Sequence, residues 1–206
     1  MRTTPAILTS SINFDNLEAT KEFLERVLFM AAVLGKTLFT YEEINSLPEG
    51  NYEIIDGERR DMTPTGFEHG NLEGIFYDIL RRHFGDKGYV AVGEVGVLIN
   101  KNPLRVRGAD VVYVSKERFP ERPKGILESA PDLIVEIISE SNTSWELTDK
   151  VKDYLSIGVE RIIVVDPVTE TVSVYRKGKR EVILYGFDEE FEIVEGLKVK
   201  LKEAIG

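Results

Sequence analysis

The sequence predicts a fold of the α/β (α+β) class, with a central mixed β-sheet flanked by helices and an extra N-terminal helix. Three observations favour this class. Segments with helical periodicity alternate along the chain with short apolar runs. The run 131–139 is apolar on both faces, which is typical of a strand inside a covered sheet. Beyond residue 170, short apolar runs are separated by glycine-bearing turns, which is typical of antiparallel strands.

The N-terminal part predicts a helical extension, residues 1–36, ahead of a main domain at 37–206. Apolar residues recur at helical spacing from Phe14 to Leu34, and Gly35 is a natural end. The apolar face is wider than one packing surface needs. We therefore expect this helix to dock on the main body or on a second subunit, and we expect a homodimer.

The main domain begins with a short helix and a hairpin. Thr40 and Glu43 have the spacing of a capping box, and the pair Asp56-Gly57 between strand-like runs is a strong hairpin signal. The later elements are expected as strands at 90–99, 110–114, 131–139, 161–166, 171–175, 182–184, 191–193 and 197–199, and as helices from after Gly66 to about 84 and at about 144–157.

Composition and charge exclude several functional classes. The chain has 206 residues, no cysteine and a net charge of -10. Zinc–thiolate sites, disulfides and thiol nucleophiles are excluded, and nucleic acid would have to bind a local basic patch rather than the protein's overall charge. The apolar segment 27–34 is far shorter than the ~20 residues of a membrane span. We expect a cytoplasmic protein with no membrane partner.

Two carboxylates are placed where sheets seldom carry charge. Glu136 interrupts the most apolar run, and Asp110 opens the strand 110–114. A buried carboxylate is costly unless a cation, a lysine or protonation compensates it, so an internal salt bridge would account for Glu136 equally well. If the two strands are adjacent, both acids would reach one Mg²⁺, an ion that favours one or two carboxylates, a main-chain carbonyl and waters.

Three further residues are candidates, each with a simpler alternative. Lys150 lies within or beside the buried stripe of its helix and would either extend into solvent or point at a buried anion. Glu53 is on the hairpin, where a solvated carboxylate is the simpler interpretation. His69 lies on an apolar helix stripe, where a packed core histidine is common. Two acidic residues, a possible third acid in Glu53 and the amine of Lys150 are groups that suit metal-assisted phosphodiester hydrolysis.

Six segments, taken in succession, resemble the Uma family of putative restriction endonucleases, which belongs to the PD-(D/E)XK nuclease superfamily. The resemblance covers about residues 38–200 and leaves the first helix outside. The segments that carry it are 52–58, 63–69, 107–111, 131–139, 150–154 and 158–167.

The resemblance implies a restriction endonuclease-like core and assigns roles to residues. Asp110 matches the first metal-binding acid and Glu136 the second, with the main-chain carbonyl of Ile137 as a further expected ligand. Ile138 stands where the superfamily usually has lysine, so the resemblance implies that Lys150 supplies the amine from the following helix. Glu53 matches an additional acid, and His69 matches a histidine typical of the family.

The leading hypothesis is a Mg²⁺-dependent endonuclease that hydrolyses DNA phosphodiester bonds, with Mn²⁺ as a substitute ion. The locally basic segment 101–124 encloses Asp110, and we expect it near the phosphate backbone. Two alternatives stay open. One is a catalytically silent member of the same fold that binds nucleic acid or protein. The other is a hydrolase of small phosphodiesters, which suits the acidic net charge better.

Overall fold

The structure is a computed structural model that describes residues 21–22, 25–27, 38–139 and 142–206. The chain divides into two compact units, Met1–Leu38 and Phe39–Gly206. In the first unit, residues 21–22 and 25–27 are helical, and most of the expected N-terminal helix lies outside the described residues. The domain division after residue 36 and the homodimer stay predictions. Within the described part of the chain, no helix is long and apolar enough to span a membrane.

The second unit is built around an eight-stranded mixed sheet, with a separate two-stranded sheet. The strands are β1 (Tyr52–Ile55), β2 (Glu58–Asp61), β3 (Gly88–Lys101), β4 (Leu104–Ser115), β5 (Leu133–Ile137), β6 (Arg161–Asp166), β7 (Thr171–Arg176), β8 (Ile183–Gly186), β9 (Glu190–Val194) and β10 (Leu197–Lys200). The helices are α1 (Phe67–Phe84), α2 (Ser144–Ile157), α3 (Leu201–Ile205) and two 3₁₀ helices, Tyr41–Ser46 and Gly85–Lys87.

Strand order in the large sheet is β2-β1-β4-β5-β6-β7-β8, with β3 paired to β4. The strands β5 and β6 are parallel, and α2 is the crossover helix that such a pair requires. The other pairs are antiparallel. This arrangement confirms the predicted fold class.

The two long helices pack on opposite faces of this sheet. On one face, Phe76 of α1 packs in a core that includes Val135 and Ile163. On the other face, Val151 of α2 packs in a core that includes Ile134. Because successive side chains of a strand point to opposite faces, β5 is apolar on both sides, as its sequence predicts.

Local signals of the sequence are confirmed in the hairpin and the first helix. Asp56 and Gly57 have φ angles of 55° and 84°, the positive values that both central residues of a type I′ turn require. The Thr40 main-chain N–H donates to the Glu43 carboxylate at 2.8 Å, which is half of the expected capping box, although the helix that follows is 3₁₀.

The strand β4 differs most from its prediction, because it begins at Leu104 rather than at residue 110. Asp110 is therefore in the middle of a strand and not at its entry. In the sequence, residues 104–109 belong to the locally basic segment 101–124 and precede the expected strand. In the structure, Arg105 and Arg107 both point from β4 towards carboxylates of α2.

Three strands pair with β4, although a strand has only two edges. The long strand β3 occupies one edge over its whole length. On the other edge, β1 pairs at Val106 and β5 pairs from Val111 to Tyr113. Residues 107–110 therefore form a gap in which β4 has no strand partner on that edge. This gap positions the candidate site.

Candidate active site

Side chains close the gap in the sheet. The main-chain N–H of Gly108 donates to Oε1 of Glu53 at 3.2 Å. The Tyr154 hydroxyl has one proton, which it shares between the carbonyl oxygen of Gly108 at 3.2 Å and Oε1 of Glu136 at 2.7 Å. Both backbone groups of Gly108 are thus satisfied by β1 and α2 side chains, as buried backbone polar groups must be. The three elements converge on this point.

A buried ion pair lies beside the gap. Glu136 on β5 accepts from the Lys150 ammonium at 2.8 Å and from the Tyr154 hydroxyl at 2.7 Å. Burial raises the pKa of Glu136, and the Lys150 ammonium opposes that rise by favouring the carboxylate. Burial alone would lower the pKa of Lys150, but the carboxylates of Glu136 and Glu53 outweigh it and raise that pKa. Lys150 is therefore held as an ammonium group.

Arginine fixes the carboxylate of Glu53 and the helix α2 against β4. The Arg107 guanidinium is 2.8 Å from Oε2 of Glu53 and 2.6 Å from Oδ2 of Asp153. Arg105 shares the same Asp153 oxygen at 2.7 Å, and Asp149 contacts both arginines. The other Glu53 oxygen is 3.5 Å from the Lys150 ammonium. Glu53 is consequently a buried member of the cluster and not a solvated strand residue.

Asp110 joins the two halves of the site. It precedes Val111, which pairs with Val135, so its position on β4 is opposite Glu136 on β5. Its Oδ2 accepts from the main-chain N–H of Ile137 at 2.6 Å, where β5 ends. Its Oδ1 is 3.3 Å from Nε2 of His69 on α1.

His69 completes a set of three metal-ligand side chains. Its Nε2 lies 3.3 Å from Glu73 Oε1 and 3.3 Å from Asp110 Oδ1. Neither contact has hydrogen-bond geometry, and both ring nitrogens are buried without a hydrogen-bond partner among the described residues. Burial alone would lower the pKa of His69, but the nearby carboxylates of Asp110 and Glu73 raise it.

The ligand atoms of His69, Glu73 and Asp110 all lie within 4.8 Å of one another. When two ligand atoms bind one metal ion at ~2.1–2.3 Å with a ligand–metal–ligand angle of about 90°, the two atoms are roughly 3.0–3.3 Å apart. The two separations from Nε2 of His69, 3.3 Å each, match that spacing, whereas they are long and misdirected for hydrogen bonds. The donor set therefore fits a divalent cation.

A family profile described as "Uma2: Putative restriction endonuclease" matches residues 40–203. The chain belongs to the Uma2 family. This confirms the resemblance seen in the sequence. A crystal structure of a putative nuclease belonging to DUF820 from Anabaena variabilis ATCC 29413 has the same fold, with a TM-score of 0.70 at 20% identity. The match covers 81% of this chain and 97% of that one. No curated protein matches the sequence.

The five site residues expected in this Uma2 protein, Glu53, His69, Asp110, Glu136 and Lys150, are all buried and connected by the contacts above. Their catalytic roles stay predictions. Ile137 contributes its N–H to Asp110, and a metal-binding role for its carbonyl also stays a prediction. Ile138, in the position of the usual lysine, packs against the apolar core under α2.

Sequence reasoning missed Glu73 and the role of Tyr154. Glu73 follows His69 by four residues on α1, so the two share a helix face, and this spacing was an available signal. By its spacing Tyr154 belongs to the apolar stripe of α2, and nothing in the sequence shows that its hydroxyl bridges Gly108 and Glu136.

The basic segment 101–124 divides into paired and unpaired cations. Arg105 and Arg107 are neutralised by α2, and Arg118 pairs with Asp132 and Glu160. Lys116 and Arg122 are exposed and form no ion pair with a described residue. They line a cleft of about 300 Å³ together with Arg81, Tyr77, Gly85, Asp86, Gly88, Tyr89 and Val90.

Replacing Tyr154 with phenylalanine is expected to destabilise the fold by about 1–3 kcal/mol, because the Glu136 carboxylate and the Gly108 carbonyl would lose a buried donor. Urea denaturation measures the loss. Tyr175→Phe is the matched control, since Tyr175 packs against the same core and its hydroxyl makes no hydrogen bond to the described residues. Equal stabilities of the two variants would contradict the bridging role of Tyr154.

Proposed function

We propose that this Uma2 protein is a divalent-metal-dependent endonuclease that hydrolyses DNA phosphodiester bonds. The observation that carries the proposal is the buried His69 ring, whose Nε2 lies 3.3 Å from two carboxylate oxygens without hydrogen bonding to either. The buried Lys150 ammonium near Asp110 supports the same chemistry. Family membership supports a nuclease.

The cation would be held by Asp110, His69 and Glu73, with Glu136 and the Ile137 carbonyl as the further ligands expected from the sequence. A bound cation polarises the scissile phosphate and lowers the pKa of coordinated water. Mg²⁺ takes oxygen ligands, and imidazole adds preference for ions such as Mn²⁺. We therefore propose Mg²⁺ or Mn²⁺ as the cofactor, with Mn²⁺ bound more tightly.

Lys150 would stabilise the negative charge that develops on the phosphate. Its ammonium is anchored at 2.8 Å to Glu136 and at 3.5 Å to Glu53. These two carboxylates hold it in place before substrate arrives, and Arg107 holds Glu53 in turn. A cation that is already in position in a buried site stabilises the transition state more than a cation in water does.

The cleft with unpaired cations would contact the DNA backbone. Arg81 follows Glu73 by eight residues on α1, which at ~1.5 Å per residue corresponds to about 12 Å. That distance spans roughly three to four nucleotides at ~3.4 Å each. The arginines 105, 107 and 118, which carboxylates already neutralise, are poorer candidates for phosphate contacts.

Mn²⁺ or Mg²⁺ at 100 times its Kd should stabilise the protein by about 2.7 kcal/mol, a rise in Tm of about 5–10 °C. Differential scanning fluorimetry checks this. Asp110→Asn and His69→Ala should lose the shift. His83→Ala, on the exposed side of the same helix, should keep it. If His69→Ala shows the same rise in Tm with the cation as wild type, the imidazole is not a ligand of the ion.

Cleavage of plasmid DNA should require the cation and fall at least about a hundredfold in Asp110→Asn, Glu136→Gln and Lys150→Ala, because each removes a group that stabilises the transition state. Agarose gels report nicked and linear products. Lys152→Ala is the control, since Lys152 is exposed on the same helix and should leave cleavage unchanged. Equal cleavage by the Lys150 and Lys152 variants would contradict the assignment.

DNA binding should depend on the cleft. In the Asp110→Asn background, which prevents cleavage, alanine at Arg81, Lys116 or Arg122 should each lower the slope of log Kd against log salt by about 0.9. Fluorescence anisotropy over a salt series measures the slopes. Lys179→Ala and Arg180→Ala, exposed on the turn after β7, are controls. If the control variants change the slope as much as the cleft variants do, the cleft is not the site of the phosphate contacts.

A further inference from the structure

Glu94 has a backbone conformation that a glutamate seldom adopts. It lies in β3 with a φ of 56°, in the left-handed region that favours glycine. The register of β3 against β4 shifts there, since Val92 pairs with Val111 whereas Val95 pairs with Ala109. Two residues of β3, Gly93 and Glu94, therefore oppose Asp110 alone. Such bulges redirect side chains and are common next to active sites.

The bulge places the Glu94 carboxylate over Gly108 of β4, the residue at which the gap lies. Its Oε2 lies so close to Gly108 that a Cβ added to that glycine would be 2.5 Å from the oxygen. The charges that act on it are Lys150 of α2, Asp110 of β4, Glu53 of β1 and His69 of α1. Glu94 thus reaches the site that the other four elements form.

The Glu94 carboxylate is poorly compensated. Its Oε2 is buried and accepts no hydrogen bond from a described residue, and burial raises its pKa to about 7. Glu53, Asp110 and Glu136 differ from it, because each accepts hydrogen bonds from named donors at 2.6–3.2 Å. A left-handed backbone and a buried acceptor without a donor both reduce stability. Because neither feature stabilises the fold, a role in the chemistry accounts for both.

We propose that Glu94 is a catalytic residue, the base that accepts the proton of the attacking water. Oε2 is a buried acceptor without a donor beside Gly108, and the charges of Lys150 and Asp110 act on it. This inference rests on the proposed endonuclease function. In the step, the water oxygen forms a bond to phosphorus and its proton passes to Glu94. The P–O3′ bond breaks and the leaving oxygen takes a proton from solvent water. Glu94 then releases its proton to the hydroxide so formed, which restores the base.

The test compares wild type with Glu94→Gln, which keeps the side-chain size but removes the base. Cleavage of plasmid DNA should fall about 10²–10⁴-fold, while the Tm rise on adding Mn²⁺ is kept. In EDTA at pH 8, where the wild-type carboxylate is ionised, Glu94→Gln should melt at a higher temperature than wild type. A residue with only a structural role would show the opposite change in Tm.

Glu94→Gly is the second variant, because glycine also relieves the left-handed φ. It should melt above wild type and should not cleave. If Glu94→Gln cleaves DNA within threefold of wild type, the role of Glu94 as the base is overturned. A Tm below that of wild type in both variants would overturn it as well. Neither result would contradict the endonuclease proposal. A wild-type protein that cleaves no DNA with Mg²⁺ or Mn²⁺ would overturn both.

Discussion

The gap between β1 and β5 on the edge of β4 is the constraint on which the site depends. Backbone groups that no strand pairs must be satisfied by side chains, and here Glu53 and Tyr154 bond to Gly108. Those side chains bring β1 and α2 to the same point, and Asp110 is two residues further along β4. A continuous ladder at residues 107–110 would satisfy the backbone without them and would leave no space for a charged cluster.

The cost of this arrangement is the burial of charge. The six buried polar or charged side chains in the described residues all belong to it: Glu53, His69, Arg107, Asp110, Glu136 and Lys150. Glu73 and Glu94 add two partly buried carboxylates with raised pKa values. Carboxylates therefore outnumber the permanent cations Arg107 and Lys150 in this cluster. A divalent cation would offset the excess negative charge and reverse the local pKa shifts.

Sequence reasoning was accurate where one local rule decides the structure. The Asp56-Gly57 turn has a single favourable geometry, and β5 has an apolar pattern that only a covered strand explains. For Lys150 it left two positions open, extension into solvent or contact with a buried anion, of which the structure shows the second. It could not locate the start of β4, because Arg105 and Arg107 resemble solvent-exposed residues until their acidic partners on α2 are known.

The missed acids show a second limit. Along the chain, Glu73 shows only its four-residue spacing from His69, and Glu94 shows no signal of a ligand or base. Their importance comes from β4, which brings α1 and the β3 bulge together at Asp110. Glu94 appears in the sequence only as an interruption of strand alternation after Gly93. Its buried oxygen and its positive φ are properties of the folded backbone, so a pattern of residue types does not predict them.

The most direct test of a cation between α1 and β4 is anomalous diffraction from crystals soaked in Mn²⁺. The account predicts a manganese peak about 2.1–2.3 Å from Nε2 of His69 and from the carboxylates of Glu73 and Asp110. A peak bound elsewhere, or a fully soaked crystal in which His69 Nε2 instead donates a hydrogen bond to Asp110, would contradict it.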